Sequence, residues 1–112
     1  MSTNINDSST LGGVLQQAEI VQYQTGSIVS RILVKKPGGN VTAFAFDQGE
    51  SLSEHTAPYD ALVLLVEGEA EVSISKIAHR VHAGQMLLLP AGQPHALKAL
   101  TKFKMILVMI KT

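Results

Sequence analysis

The stretch Gly84-Gln85-Met86-Leu87-Leu88-Leu89-Pro90-Ala91-Gly92-Gln93-Pro94-His95 decides how the chain can fold. An apolar run ends in a Pro-x-Gly turn, and a histidine follows the glycine by three residues. Glycine permits positive φ angles in a turn, and proline stops hydrogen-bond donation at a strand end. The stretch therefore predicts a strand, a tight turn and a further strand that begins at the histidine.

The rest of the chain repeats this strand-and-turn pattern. From Glu19 onward the apolar residues follow a period of two, and Gly or Pro turns separate short segments rich in Val, Ile, Leu and Phe. No long helical period occurs, so the pattern is typical of an all-β sandwich or barrel. About ten short antiparallel strands are expected, at residues 20–24, 28–35, 41–47, 52–56, 61–67, 70–74, 78–82, 85–89, 95–99 and 102–111.

A chain of 112 residues has room for one domain. Residues 1–10 are rich in Ser, Thr, Asn and Asp, and the pair Gly12-Gly13 weakens any helix that follows. We therefore expect a flexible N-terminal tail or arm over residues 1–18 and a single β-barrel domain over residues 19–112.

The composition excludes several functions. There are no cysteines, so disulfides, thiolate metal sites and Cys nucleophiles are ruled out. Nine basic and nine acidic residues leave no net charge and no basic cluster, which argues against a nucleic-acid partner. No apolar run approaches the length of a membrane span, and the first twelve residues lack the regions of a signal peptide. A cytoplasmic protein is expected.

Three segments, at residues 61–66, 86–89 and 105–110, are apolar at consecutive positions and not only at alternate ones. Strands of this kind need cover on both faces, and a small barrel supplies it on one face only. A second subunit is the simplest cover for the other face, so a homodimer is expected. The alternative is that the N-terminal arm of the same chain covers that face.

Four histidines are the side chains that titrate near neutral pH. His79 and His82 lie in a polar segment and are expected to be half-exposed strand residues. His55 and His95 each follow a turn and border a strongly apolar strand, a setting in which an imidazole can face a lined cavity.

The spacing around these two histidines resembles the cupin superfamily. The second cupin motif is Gly, five residues, Pro-x-Gly, two residues, His, three residues, Asn; Gly84, Pro90, Gly92 and His95 match it, and Ala99 takes the place of Asn. The first motif is Gly, five residues, His-x-His, a short spacer, Glu, six residues, Gly. Gly49, His55 and Gly68 match it, whereas Ala57 and Ala61 take the places of the second His and the Glu.

The resemblance implies a double-stranded β-helix, the jelly-roll barrel of RmlC-like cupins, with a pocket at its mouth. Cupins commonly hold Fe, Mn, Ni, Zn or Cu there, through the histidines of both motifs and the glutamate. In this chain His55 and His95 remain as possible ligands, and the two alanines disfavour a tight metal site of the family type. Glu54 and Asp60 do not replace the missing ligands, because strand alternation directs both outward.

Strand alternation also predicts the walls of a pocket. Starting from the two histidines, it directs small and apolar side chains into one space, which gives a mostly apolar cavity with two imidazoles as its polar groups. The expected pocket residues are Ser53, His55, Ala57, Ala61, Val63, His95, Leu97 and Ala99. The alternative is that the apolar members simply fill the barrel.

The leading hypothesis is a stand-alone cupin barrel that binds a small, partly apolar molecule between His55 and His95. A metal-dependent cupin enzyme of the dioxygenase or isomerase type, with an incomplete His-based metal site, is the alternative. A metal-free enzyme that uses one imidazole as a general base is a third possibility. The identity of the ligand does not follow from these residues.

Overall fold

The computed structural model of the protein describes residues 2–4 and 12–111, and these residues form ten β-strands and one 3-10 turn at Gln17–Glu19. The all-β prediction is confirmed. The strands are β1 Ser2–Asn4, β2 Ile28–Lys36, β3 Gly39–Phe46, β4 Ser51–His55, β5 Asp60–Glu67, β6 Glu69–Ile74, β7 Ile77–His82, β8 Met86–Leu89, β9 His95–Ala99 and β10 Phe103–Ile110.

The strands form two sheets that face each other as a jelly-roll barrel. The larger sheet has the order β1-β2-β3-β10-β5-β8, and the smaller sheet has the order β4-β9-β6-β7. Every neighbouring pair is antiparallel apart from β1 and β2, which run parallel. The expected double-stranded β-helix is therefore the observed architecture. Among the described residues, no helix has the length and apolar character needed to cross a membrane.

The main core lies between the two sheets. Its largest fully buried side chains are Phe46, Val63, Val72, Phe103 and Met105. The rings of Phe46 and Phe103 stack with their centroids 4.5 Å apart and their planes 19° from parallel. Both residues come from directly paired positions of β3 and β10, so the strand register itself creates the stack.

A second apolar cluster covers part of the outer face of the larger sheet. Ile20 and Val21 pack there with Leu33, Ala43 and Ala45. The expected strand at residues 20–24 does not form, so that prediction is wrong. Because two consecutive side chains are buried on the same surface, the segment cannot follow the two-residue period of a strand. Residues 20–21, which follow the expected arm, thus cover one part of this face.

The backbone at residues 18–20 is fixed by polar contacts as well. The Arg31 guanidinium donates a hydrogen bond of 2.7 Å to the carbonyl of Ile20, and the Lys104 ammonium donates one to the carbonyl of Ala18. Of the tail expected at residues 1–18, the backbone of Ser2–Asn4 pairs with β2 as strand β1. Residues 5–11 lie outside the described part of the chain.

Candidate functional site

His55 and His95 come together at one end of the smaller sheet. Their Cα atoms are direct partners in the β4–β9 ladder, and their imidazole centroids lie 4.4 Å apart with the rings 67° from parallel. His95 is 7% exposed, whereas the side chain of His55 is exposed to solvent. The expected convergence of these two histidines is what the structure shows.

The turn before His95 is tied to the segment after His55. The amide of Gly92 donates a hydrogen bond of 2.8 Å to the carbonyl of Ala57, and the amide of Ala91 donates one of 2.8 Å to the Asp60 carboxylate. Gly92 has a φ of +79°, a left-handed conformation that glycine adopts without steric cost. The Pro-x-Gly turn therefore sets where β9 begins, and with it the position of His95.

Each imidazole is oriented by a backbone carbonyl two residues earlier. The Nδ1 atom of His55 lies 2.9 Å from the carbonyl oxygen of Ser53, and Nδ1 of His95 lies 3.2 Å from that of Gln93. A carbonyl oxygen can only accept, so each Nδ1 carries the proton of the bond. In the neutral ring the Nε2 atom is then the bare nitrogen, available to accept a proton or to coordinate.

An extra residue in β4 decides which side chains face the interior. Leu52 pairs with Leu97 and His55 pairs with His95, so two residues of β4, Ser53 and Glu54, lie opposite one residue of β9, Ala96. This bulge puts Leu52 and His55 on the same inner face. Ser53 was expected on that face as well; it lies within the bulge and is exposed, as His55 is.

Burial holds the pKa of His95 below its ordinary value of 6.5. The hydrogen bond to the Gln93 carbonyl opposes this shift, and the proximity of His55 adds to it. At neutral pH the His95 ring is therefore uncharged, and its Nε2 atom is an acceptor.

Two isoleucines extend the site, and the sequence did not single them out. His95 lies opposite Ile74 of β6, which lies opposite Ile77 of β7, so one row across the smaller sheet reads His55, His95, Ile74, Ile77. Ile74 is half-buried and Ile77 is 64% exposed. The row depends on the two-residue turn Ser75-Lys76, which joins β6 to β7 and in which both residues have positive φ. Hairpins of this kind are recognised in a sequence by a turn such as Asn-Gly, and this turn contains neither residue.

The remaining expected pocket residues lie deeper in the barrel. Val63, Leu97 and Ala99 are at most 3% exposed, Ala61 is nearly as buried, and all four belong to the main core cluster. Ala57 is partly exposed beside the turn that precedes His95. Ala57 and the isoleucine row therefore lie nearer the surface beside the histidines, and the other four expected residues lie in the packed core.

The residues present do not fit a metal site with three protein ligands. Within residues 2–4 and 12–111, no group of three or more His, Cys, Asp or Glu side chains is placed to hold an ion. The two carboxylates nearest to the motif face away as expected: Glu54 forms a 3.3 Å ion pair with Lys76, and Asp60 accepts the Ala91 amide. The part of the chain that the structure describes supplies two imidazoles here and no third ligand of these types.

His79 and His82 do not join the pair. Both are exposed on β7, the edge strand of the smaller sheet, as the sequence predicted. The chemistry available at this end of the barrel is therefore that of two adjacent imidazoles beside an apolar surface.

The structure is a small jelly-roll barrel with two converging histidines. Comparison with known proteins identifies the family to which such a barrel belongs. A model of the cupin domain matches residues 43–111. The chain belongs to the cupin family. A search of curated proteins gave no significant match.

Solved structures agree with this family. The chain is 36% identical to the conserved SPY1581 protein of unknown function from Streptococcus pyogenes, with a TM-score of 0.88, covering 100% of this chain and 96% of that one. It is 43% identical to a cupin 2 conserved barrel domain protein from Leptotrichia buccalis, with a TM-score of 0.81 over 84% of this chain and 46% of that longer one. A cupin superfamily protein from Desulfitobacterium hafniense is 25% identical, with a TM-score of 0.85 over 90% of this chain and 93% of that one.

Proposed function

We propose that the protein binds a small, partly apolar molecule at the paired imidazoles of His55 and His95. The observation that carries this proposal is the 4.4 Å approach of two rings whose Nδ1 atoms are both directed to backbone carbonyls. Two oriented polar groups beside an apolar surface are the usual composition of a small-ligand site.

The orientation of the rings also specifies the chemistry of the ligand. Because the Nε2 atom of the uncharged His95 ring accepts a hydrogen bond, it favours a ligand with a hydroxyl or amine donor over a carboxylate. Ile74 and Ile77 supply apolar contact surface in the same row of the sheet. A hydroxylated or aminated molecule with an apolar frame is the class that fits.

Nitrogen-resolved NMR of the four histidine side chains tests this proposal. We expect a panel of neutral fragments with O–H or N–H donors, phenol among them, to shift the Nε2 resonances of His55 and His95. His79 and His82 are exposed elsewhere and serve as internal controls. Equal shifts at all four rings, or no shift at the pair with any donor fragment, would contradict the proposal. Benzoate is the matched anionic fragment and is expected to bind more weakly at neutral pH.

A metal-dependent enzyme of the dioxygenase or isomerase type is the second candidate. The observation that favours it is the hydrogen bond from each Nδ1 to a carbonyl, since metal-ligating histidines are commonly oriented in this way. With two imidazoles from the chain, any Fe, Mn, Ni, Zn or Cu ion would need further ligands from water or substrate. Elemental analysis of protein purified without chelators tests this candidate: one transition metal per chain, lost in His95→Ala, would support it.

A further inference from the structure

The turn between β6 and β7 has a backbone conformation that its two residues do not favour. Ser75 and Lys76 have φ angles of +49° and +67°, in the left-handed region that glycine and asparagine adopt most easily. No other non-glycine residue in the described ranges has a positive φ. Residues in this region cost free energy and persist where the surrounding structure holds them, often beside functional sites. The partners of this turn therefore identify what the conformation supports.

Both hydrogen bonds donated by Ser75 go to the segment that precedes His95. The Ser75 amide donates one of 2.8 Å to the carbonyl of Pro94, and the hydroxyl donates one of 3.2 Å to the side-chain Oε1 atom of Gln93. The amide bond extends the β6–β9 ladder beyond its last pair, Ile74 with His95. Ser75 thus holds the two residues before His95 at one backbone atom and at one side-chain atom.

The same short segment contains the group that orients the His95 ring. The backbone carbonyl of Gln93 lies 3.2 Å from Nδ1 of His95, and along the chain it falls between the two atoms that Ser75 holds. The ring of Pro94 restricts its φ to about −65°, so the Gln93 carbonyl has little freedom once both of these atoms are held. A displaced carbonyl would release the Nδ1 proton and allow the other tautomer of the ring.

The second residue of the turn makes a weaker contact. Lys76 forms a 3.3 Å ion pair with Glu54, the residue before His55. The two side chains are 81% and 40% exposed, and an exposed ion pair is weakened by solvent and by side-chain entropy. The contacts of Ser75 are therefore the ones that bear most directly on the site.

We propose that Ser75 is a positioning residue of the histidine site: its hydrogen bonds hold the Gln93 carbonyl against Nδ1 of His95 and thereby keep Nε2 of that ring bare. The ring then presents an acceptor to a ligand without exchanging between tautomers. The use of this nitrogen in ligand binding rests on the proposed function, whereas the tautomer is a property of the free protein.

The tautomer of His95 tests the proposal without any ligand. Nitrogen-resolved NMR distinguishes a bare ring nitrogen from a protonated one, at a pH above the ordinary pKa of histidine. We expect the Nδ1–H form in the wild type and a measurable fraction of the Nε2–H form in Ser75→Ala. His55 takes its hydrogen bond from the carbonyl of Ser53 on β4, so its tautomer should not change.

The matched control is Ser73→Ala, which makes the same change on β6 opposite Ala96 and should leave both rings as in the wild type. An equal change at His95 in Ser73→Ala would overturn the proposal. Circular dichroism checks that each variant is folded.

A double-mutant cycle tests whether the hydroxyl acts through Gln93. Gln93→Ala removes the side-chain acceptor and keeps the backbone carbonyl, so it should change the His95 tautomer as Ser75→Ala does. The double variant should show no further change, because both substitutions break the same bond. Additive effects, or a wild-type tautomer in both single variants, would overturn the proposal. Gln93→Ala supplies the test if Ser75→Ala does not fold.

Phenol binding to the same variants separates this proposal from the proposed function. The apparent affinity of Ser75→Ala for phenol should fall in proportion to the fraction of His95 rings that keep a bare Nε2, so a half-populated Nε2–H form gives a loss of about 2-fold. A changed tautomer in Ser75→Ala, together with no phenol binding in the wild type, would contradict the proposed function and support the role of Ser75. An unchanged tautomer would overturn that role even if phenol binds.

Discussion

The amide of Gly92 donates its hydrogen bond to the carbonyl of Ala57 and thereby joins the turn before His95 to the segment after His55. The two histidines lie forty residues apart in the chain, and this bond connects their surroundings directly. The site is consequently a product of the strand register and of one turn. The geometry of the site and of the barrel determines how the protein should respond to pH, to metal ions and to substitutions.

The stability of the protein should decrease as the pH falls below the ordinary pKa of histidine. Burial lowers the pKa of His95 in the folded chain, so below about pH 6.5 the unfolded state binds more protons than the folded state. The free energy of unfolding therefore declines through this range until the pH reaches the folded-state pKa. Urea unfolding at about pH 7.5 and about pH 5.5 measures the change.

Two variants separate this effect from other titrations. His95→Gln should show a smaller loss of stability between the two pH values, because the titrating group is gone. His79→Gln, which removes an exposed histidine of β7, should keep the wild-type dependence. An unchanged slope in His95→Gln would mean that other groups produce the effect.

A third imidazole at the site should create a metal centre. Ala57→His restores the missing histidine of the first cupin motif and gives the three protein ligands that metal sites usually contain. We expect the affinity for Co²⁺ to rise by at least ~10-fold over the wild type, since three ligands now act together. The visible absorption of bound Co²⁺ measures both affinity and coordination.

The control for the metal prediction is Ser51→His, which adds a histidine at an exposed position of β4, opposite Lys98. It should bind Co²⁺ no more tightly than the wild type. Equal affinities for both variants would show that the Ala57 position does not face the two imidazoles.

Replacing Gly68 with alanine should be far more damaging than the same change at Gly49. Both glycines have a φ near the left-handed region, at +80° and +85°, so both variants carry a similar backbone strain of about 1–2 kcal/mol. At Gly68 an added Cβ would also overlap the carbonyl oxygen of Lys102, whereas at Gly49 it would meet open space. We expect Gly68→Ala to lose roughly 2 kcal/mol more than Gly49→Ala, because its neighbours are rigid backbone. Chemical denaturation of the pair measures the difference.

The stacked rings in the core should contribute a large part of the stability of the folded protein. Phe103 is fully buried against Phe46, so Phe103→Ala removes both burial and the stack, at a cost of about 3–5 kcal/mol. Thermal and urea unfolding should both report this loss. Ile77→Ala, at an exposed position, should change the stability by only about 0.5 kcal/mol. Similar losses in the two variants would contradict the assigned core.

The sequence predicted the strands well where polar or turn residues bound a short apolar segment. β5, β6, β9 and β10 all fall within about two residues of their expected positions, although β5 and β10 are apolar at consecutive positions in the sequence. Residues 20–24 have the same composition but bury Ile20 and Val21 together, so composition alone misassigned them.

The site was predicted less completely. The two histidines were identified from their turns and from the cupin spacing, and the structure brings them together. Alternation did not reveal the register shift between Leu52 and His55, because a bulge cannot be recognised from composition. It also gave no reason to connect Ile74 and Ile77 with the histidines, since that contact depends on which strands become neighbours.

The extra residue in β4 has a consequence for how this site could be gained or lost. If the ladder continued from the Leu52–Leu97 pair without a bulge, the residue opposite His95 would be Glu54, so an acidic side chain would point inward and the imidazole of His55 would turn to solvent. The bulge thus decides which of two functional groups points inward without any substitution. The position of a bulge before His55 therefore matters as much as residue identity when related barrels are compared.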